Sequence, residues 1–193
     1  MTPPGIVLAP RDGARWRFDP GALFLEFLLT GGPDELAVWD RLRTPDELRE
    51  WVGASRLPVS ADGLSVDESD LAPARTLRDA LWRATRAVLA GAPVAAGDRV
   101  AVERAAAAPP PVPVWGGWQV PFRAPEVLSA VARDGLAGLA GPAAARIREC
   151  AADDCRLVFL DTSRPGRRRW CSMQRCGNRH KVRDHRARHP EER

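Results

Sequence analysis

The sequence predicts an α+β fold, in which a mainly helical N-terminal domain with a small β-hairpin precedes a small C-terminal module built on cysteines. Three observations support this prediction. Apolar residues recur at helical spacing over most of the first 140 residues, a Gly-Gly pair between β-forming residues interrupts them, and all four cysteines follow. A chain of 193 residues that is 45% apolar is long enough for one ordinary domain and one small domain. We place the boundary between residues 1–145 and 146–193.

The first two predicted helices have recognisable start signals. A Pro-Asp-Glu sequence at residues 33–35 opens a short helix. Residues 44–47 (Thr-Pro-Asp-Glu) form a capping box with proline at the first helical position, and Gly53 is the stop signal of that second helix. The inward faces of these two helices are predicted to consist of Leu36, Trp39, Leu42, Leu48, Trp51 and Val52.

Three longer helices are predicted further along the chain, at residues 73–90, 97–107 and 125–139. The first is the clearest, because it carries an apolar stripe on one face and arginines on the other, and because Gly91 ends it. The stripe consists of Ala74, Leu77, Leu81, Ala84 and Val88.

A short β-hairpin is predicted at residues 112–122, between the last two of these helices. Valines and tryptophans, which favour strands, lie on both sides of a Gly-Gly pair in this segment. Glycine readily adopts the positive φ angles that two-residue hairpin turns require. We therefore expect the turn at Gly116 and Gly117.

All four cysteines of the chain lie in two pairs with the same spacing. Four residues separate Cys150 from Cys155, four separate Cys171 from Cys176, and fifteen lie between the pairs. Such pairs can place four thiolates at the corners of a tetrahedron, the geometry of structural Zn²⁺ sites. Disulfides or unliganded thiols are the alternatives. The first residues lack the features of a secretory leader, which indicates a cytoplasmic protein with reduced thiols and favours one Zn²⁺ per chain.

Four protein sulfur ligands determine the role of this metal. A catalytic zinc keeps a coordination position for water or substrate, whereas a four-cysteine site has none. His180, His185 and His189 all follow the last cysteine, and their spacing is that of polar residues on an exposed helix. No Ser/His/acid arrangement and no phosphate-binding loop is visible elsewhere in the sequence. The sequence therefore indicates a structural zinc in a protein that is not an enzyme.

The segment around the cysteines predicts a treble-clef-like zinc finger with four cysteine ligands. Residues 156–161 and 167–170 are expected to form the two strands of a hairpin, with the first cysteine pair as a knuckle at its entrance. Cys176 would then lie at the start of a helix that ends before Pro190. Trp170 is expected to pack over the metal site. A unit this small cannot bury enough apolar surface to fold without its zinc.

The charge of the chain is divided unevenly. Residues 146–193 contain 14 basic and 7 acidic side chains, a net charge of +7, whereas the first 145 residues carry −3. Between residues 164 and 188 there are ten basic residues and one acid. A helix that was merely solvated would carry interleaved acids, so this asymmetry points to nucleic acid, and to DNA first, as the partner. The candidate contact residues are Arg168, Arg169, Arg179, Lys181, Arg183 and Arg186.

Arg179 has two alternative roles. Four thiolates around Zn²⁺ leave a formal charge of −2, and an arginine three residues after the last ligand can neutralise part of it. The same side chain can instead contact nucleic acid. We expect Arg183 and Arg186 to lie too far along the helix for the first role and to act on the partner alone.

Four runs of residues around the cysteines form a recognisable pattern: Cys150-x4-Cys155, Phe159-Leu160-Asp161-Thr162-Ser163, Arg168-Arg169-Trp170-Cys171-Ser172-Met173 and Cys176-Gly177-Asn178-Arg179. In these runs the segment resembles the CGNR zinc-finger family, which is named after the tetrapeptide found here at residues 176–179. Proteins of this family are bacterial and carry an N-terminal helical region called the ABATE domain. The resemblance therefore implies a stress-induced transcription regulator.

The N-terminal part resembles the ABATE domain at two places. Residues 26–30 keep the acid, the phenylalanine and the threonine of an acidic-Phe-Val-Asn-Thr stretch, with Leu29 at the position of the asparagine. Residues 45–51 look like an early helix of the family. The resemblance implies that this domain senses a small-molecule ligand or forms a homodimer.

The function expected from these observations is that of a zinc-binding, DNA-binding bacterial transcription regulator. The alternatives are an RNA-associated zinc protein, since a basic finger also suits RNA, and a zinc-finger module for protein interaction. A membrane partner is not expected, because the longest strongly apolar stretch, near residues 23–29, is short and contains Glu26.

Overall fold

The structure, a computed structural model, describes residues 5–9 and 15–188, with the backbone alone at 184–188. Over these residues the chain forms six α-helices and eight short strands, which confirms the predicted α+β fold with a mainly helical N-terminal part. The helices are α1 (Leu23–Leu28), α2 (Pro45–Ala54), α3 (Leu71–Leu89), α4 (Ala96–Ala107), α5 (Ala124–Ala140) and α6 (Asn178–Arg188). The strands are β1 (Ile6–Leu8), β2 (Trp16–Phe18), β3 (Leu64–Ser65), β4 (Pro113–Val114), β5 (Gly117–Trp118), β6 (Phe122–Arg123), β7 (Ile147–Glu149) and β8 (Val158–Leu160).

The strands form four separate two-stranded sheets. β1 pairs with β2, β4 with β5 and β7 with β8 in antiparallel order, whereas β3 and β6 run parallel. Helices α1, α3, α4 and α5 pack on one another and supply most of the main apolar core. Within the described residues, no helix is both long and apolar enough to cross a membrane.

The start of α2 and the end of α3 agree with the predicted signals, whereas α2 continues through Gly53, its predicted stop, to Ala54. The Thr44 hydroxyl accepts a hydrogen bond from the Glu47 amide at 3.3 Å, as a helix N-cap requires. α3 ends just before Gly91, whose φ of +65° lies in the left-handed region that glycine adopts readily. The predicted inward residues of both helices are buried, except for the half-buried Val88.

The short helix predicted from residues 33–35 is a 3₁₀ helix, Asp34–Trp39. Its predicted inward face is confirmed at Leu42, which is buried, and is wrong at Leu36 and Trp39. Trp39 is 48% exposed and Leu36 is only half-buried. The reason is that Trp82 of α3 already fills the core beneath this segment. Its indole nitrogen donates to the Gly31 carbonyl at 2.6 Å, so the chain after Gly31 passes over the ring.

The predicted hairpin at 112–122 is present as β4 and β5, with its turn one residue earlier than expected. Val114 lies opposite Gly117, which leaves Trp115 and Gly116 as the turn. Gly116 has a φ of +81°, so the second turn position needs glycine and the first does not. Trp115 is consequently fully exposed at the tip of the hairpin.

α1 is buried along its whole length, including its one charged residue. Phe24 packs against α5, where an added Cβ at Gly138 would lie 2.7 Å from the Phe24 ring. Glu26 is 0% exposed and accepts hydrogen bonds from the Arg56 amide at 2.7 Å and from the Arg56 Nε at 3.1 Å. A carboxylate at the centre of a helical core is tolerated because this one arginine pairs with it.

The β1–β2 pair, which the sequence pattern did not predict, connects the N-terminal part to the cysteine segment. Phe18 on β2 is 1% exposed and lies in an apolar cluster with Phe159 and three of the four cysteines. The Leu160 amide donates to the Pro20 carbonyl at 2.7 Å. On the other side, Ile147 and Val158 are buried in the main core. The domain boundary at residues 145 and 146 stays a prediction, and apolar contacts are continuous across it.

Candidate metal centre and the basic surface beside it

The first cysteine pair lies in the loop that joins β7 to β8. Cys150 follows β7 directly, and its amide donates to the Leu157 carbonyl at 2.9 Å. The Cys155 amide donates to the Ala152 carbonyl at 3.0 Å, which closes a tight turn between the two ligands. The loop is thus the predicted knuckle, and the antiparallel pair holds its two ends together.

The second strand predicted at residues 167–170 is wrong. β8 lies within the predicted 156–161, but it pairs with β7, upstream of the cysteines. The Arg168 amide donates to Asp161 Oδ2 at 2.9 Å, and the Arg169 carbonyl accepts from the Ala151 amide at 2.9 Å. Because a side chain and the knuckle engage these backbone groups, the segment is held in place without a strand ladder.

In the second cysteine pair, Cys171 precedes one π-helical turn, Met173–Gly177, and Cys176 lies within it. This turn leads directly into α6. Cys171 and Cys176 are both buried. Trp170 is 9% exposed, lies in the apolar cluster with the cysteines, and has its ring 4.6 Å from the ring of His180. It therefore packs beside the metal ligands, as the sequence predicts.

The four sulfur atoms have the spacing that a tetrahedral metal requires. All lie within 4.8 Å of one another, with 3.8 Å between Cys155 and Cys171 and 3.4 Å between Cys171 and Cys176. Zn–S bonds of about 2.3 Å in a tetrahedron place the sulfur atoms about 3.8 Å apart. The donor set and its geometry thus fit one Zn²⁺ per chain, with Cys150 as the fourth ligand.

Without a cation the thiols of Cys150 and Cys155 do not ionise alike. Burial raises the pKa of Cys150 to about 11, whereas the hydrogen bond from Cys171 lowers the pKa of Cys155 to about 6. Bound Zn²⁺ requires all four as thiolates, because the thiolate is the form that ligates the metal. The Cys171 amide donates a hydrogen bond to one of these sulfurs, Cys150 Sγ, at 3.4 Å.

Arg179 lies where the neutralising role requires it. Its guanidinium donates to Cys176 Sγ at 3.2 Å and to Asp154 Oδ2 at 3.1 Å. Arg183 donates to the same Asp154 oxygen at 3.3 Å and not to a cysteine sulfur, so its predicted role on the partner alone stays a prediction. Asp154, the residue before Cys155, thus ties the first two turns of α6 to the knuckle.

Arg168 is held by the finger itself. Its Nε donates to the Trp170 carbonyl at 3.0 Å, its second amino group donates to the Cys171 carbonyl at 2.5 Å, and its guanidinium lies 4.1 Å from the centre of the Phe159 ring. These contacts fix the backbone directly before and at a zinc ligand. Arg168 is therefore the candidate contact residue with the strongest structural role.

Arg168→Ala should lower the free energy of unfolding by about 2–3 kcal/mol, because two half-buried carbonyls lose charged donors. The matched control is Arg167→Ala, which removes the same charge from the exposed neighbouring position. Urea denaturation of both zinc-loaded variants gives the comparison. Equal stability of the two variants would contradict this role of Arg168.

Three of the four remaining candidate contact residues are exposed. Arg169, Lys181 and Arg183 all reach the surface, and Arg169 lies over the Trp170 ring at 5.1 Å from its centre. The backbone of Arg186 belongs to α6, but its side chain lies outside the described residues. We call the exposed positions 169, 179, 181 and 183 the basic surface.

The sequence pattern missed two contributors to the site, β2 and Asp154. Trp16 and Phe18 of β2 pack against the finger from the N-terminal side, and the three-residue strand has no periodic signal of its own. Asp154 was recognisable only as an acid next to a ligand in a basic segment. The sequence alone does not indicate which residues β2 and Asp154 contact, and these contacts are visible only in the folded structure.

Comparison with known protein families gives two matches along this chain. Residues 21–153 match the ABATE model, described as a putative stress-induced transcription regulator. Residues 146–189 match the model of the CGNR zinc finger, and the two matches overlap at 146–153. No curated protein matches the chain.

Proposed function

Since this chain belongs to the family described as putative stress-induced transcription regulator and carries a CGNR zinc finger, we propose that it binds DNA through the basic surface. The zinc has a structural role in this proposal, because four thiolates leave no position for water or substrate. The N-terminal domain is proposed to sense a ligand or to dimerise. The protein is proposed to act by binding rather than as an enzyme.

The observation that carries this proposal is the charge of the finger surface. Residues 164–183 contain eight basic side chains and no acidic one. Lys181 and Arg183 are exposed in the first two turns of α6, and Arg169 is exposed on the preceding loop. Arginine and lysine on one helix and an adjoining loop can reach the phosphates on either side of a groove.

The double variant Lys181→Ala, Arg183→Ala should bind a short DNA duplex of random sequence more weakly than the unmodified protein does. Each lost phosphate contact should reduce the slope of log K against log salt by about one unit, because fewer counterions are released. Fluorescence anisotropy with zinc-loaded protein at several salt concentrations measures both quantities.

The matched control is Arg99→Ala, Arg104→Ala, which removes the same charge from exposed positions of α4, outside the finger. It should leave the affinity and the salt slope nearly unchanged. If the α6 variant keeps its zinc and behaves like the control, the basic surface is a solvated face and the protein-interaction alternative leads. If an RNA duplex of the same sequence binds more tightly than DNA, the RNA alternative leads.

A further inference from the structure

A groove of about 480 Å³ lies where the N-terminal domain meets the finger. Its walls come from the 3₁₀ helix Asp34–Trp39, from β2, from the knuckle and from the π-helical turn. Small-molecule sites have volumes of roughly 300–1,000 Å³ and occur preferentially at junctions of this kind. The groove is therefore large enough for an aromatic ligand of modest size.

The interior of the groove is apolar and aromatic. Trp16 and Trp39 line it together with Leu29, Leu36 and Trp82. Trp39 is 48% exposed, and part of its indole ring faces the groove. An aromatic ring in the groove would cover part of this surface and gain the stacking energy of paired rings.

The rim of the groove carries both acidic and basic side chains. Asp154 is paired with Arg179 and Arg183, and Arg156 lies 3.7 Å from Glu149. Glu35 and Arg41 also line the groove, and their side chains make no hydrogen bond or ion pair to any described residue. One carboxylate and one guanidinium that line the groove are thus available to a ligand.

We propose that this groove binds a small aromatic zwitterion of the amino-acid type. The carboxylate of the ligand pairs with Arg41, which can hold it through two parallel hydrogen bonds. The ammonium group pairs with Glu35, and the ring lies among Trp16, Trp39 and Leu36. The four-thiolate zinc site nearby is negative, and Arg179 on Cys176 Sγ offsets part of that charge.

Occupancy of the groove is coupled to the basic surface, an inference that rests on the proposed DNA-binding function. Asp154, Cys155 and Arg179 border the groove, and Asp154 also holds Arg183 of α6. A ligand that repositions Asp154 changes which arginines are free to contact phosphate. By linkage, a ligand that changes DNA affinity has its own affinity changed by DNA by the same factor.

The test measures, by calorimetry, the binding of L-tryptophan, tryptamine and indole-3-propionate to the zinc-loaded full chain. The last two probes lack the carboxylate and the ammonium group respectively. Arg41→Gln should weaken L-tryptophan and indole-3-propionate roughly tenfold or more and leave tryptamine unchanged. Glu35→Gln should weaken L-tryptophan and tryptamine and leave indole-3-propionate unchanged. Arg99→Gln, on α4, is the matched control and should change none of the three.

Two results would overturn the proposed site: no binding of any of the three probes, or binding that neither variant alters. If the variant pattern holds but L-tryptophan leaves DNA affinity unchanged, the coupling is refuted and the site stands. If the pattern holds and the protein binds no nucleic acid, the proposed function fails and the site stands. If none of the probes binds while the salt-dependent DNA binding is present, the site fails and the proposed function stands.

Discussion

Removal of the zinc should unfold the finger and loosen the β1–β2 pair that packs on it. Structural zinc contributes about 10–16 kcal/mol in isolated fingers, which is as large as the whole stability of an ordinary domain, about 5–15 kcal/mol. Phe18 lies in the same apolar cluster as Cys150, Cys171 and Cys176, so the loss of the metal site uncovers it. We expect chelation to expose Trp16 and Trp170 to solvent while much of the helical signal remains.

Tryptophan fluorescence and circular dichroism follow the overall change, and amide hydrogen exchange follows it residue by residue. Cys176→Ser should reproduce it and should lose stoichiometric zinc by elemental analysis. Gln174→Ala changes an exposed position between the ligands Cys171 and Cys176, so this variant should keep both its metal and its fold. A chelated protein with native exchange rates in β1, β2 and the finger would show that the cysteines do not hold a structural metal.

The predictable part of the fold was the part with local signals. The capping box at Thr44, the glycine stop at Gly91 and the apolar stripe of α3 all depend on residues within one helix. The clustering of the four cysteines was predictable in the same way, because the spacing of the two cysteine pairs is typical of metal ligands. These features were visible in the sequence because neighbours along the chain determine them.

The features that the sequence could not reveal depend on contacts between distant residues. Trp39 has the spacing of a core residue, but Trp82, 43 positions later, fills that part of the core. β8 has the composition of a strand, but nothing local indicates whether residues 147–149 or 167–170 will pair with it. Asp154 connects to Arg183 across 29 positions. Tertiary packing decided each case, as is common for short strands and single aromatic residues.

Arg56 stabilises the buried carboxylate of Glu26 by hydrogen bonds and an ion pair. Burial raises the pKa of Glu26 above its usual range, and the amide and guanidinium of Arg56 oppose that change. Arg56 also pairs with Asp19, which is partly exposed. Removing one partner of a buried pair usually costs about 3–5 kcal/mol, because a charge is left without compensation.

Arg56→Ala should therefore lower the free energy of unfolding by roughly 3–5 kcal/mol near neutral pH. Without Arg56 the folded-state pKa of Glu26 rises further above its unfolded value of about 4.3. A carboxyl whose pKa is raised on folding binds its proton more tightly in the folded state, so stability falls as pH rises from the unfolded pKa to the folded one. The loss in free energy of unfolding caused by Arg56→Ala should accordingly be small near pH 4 and reach its full size near pH 8. In the Glu26→Gln, Arg56→Ala double variant this pH dependence should disappear. Urea denaturation across that range tests both statements, and a cost that is independent of pH would mean that Glu26 is not the group that Arg56 stabilises.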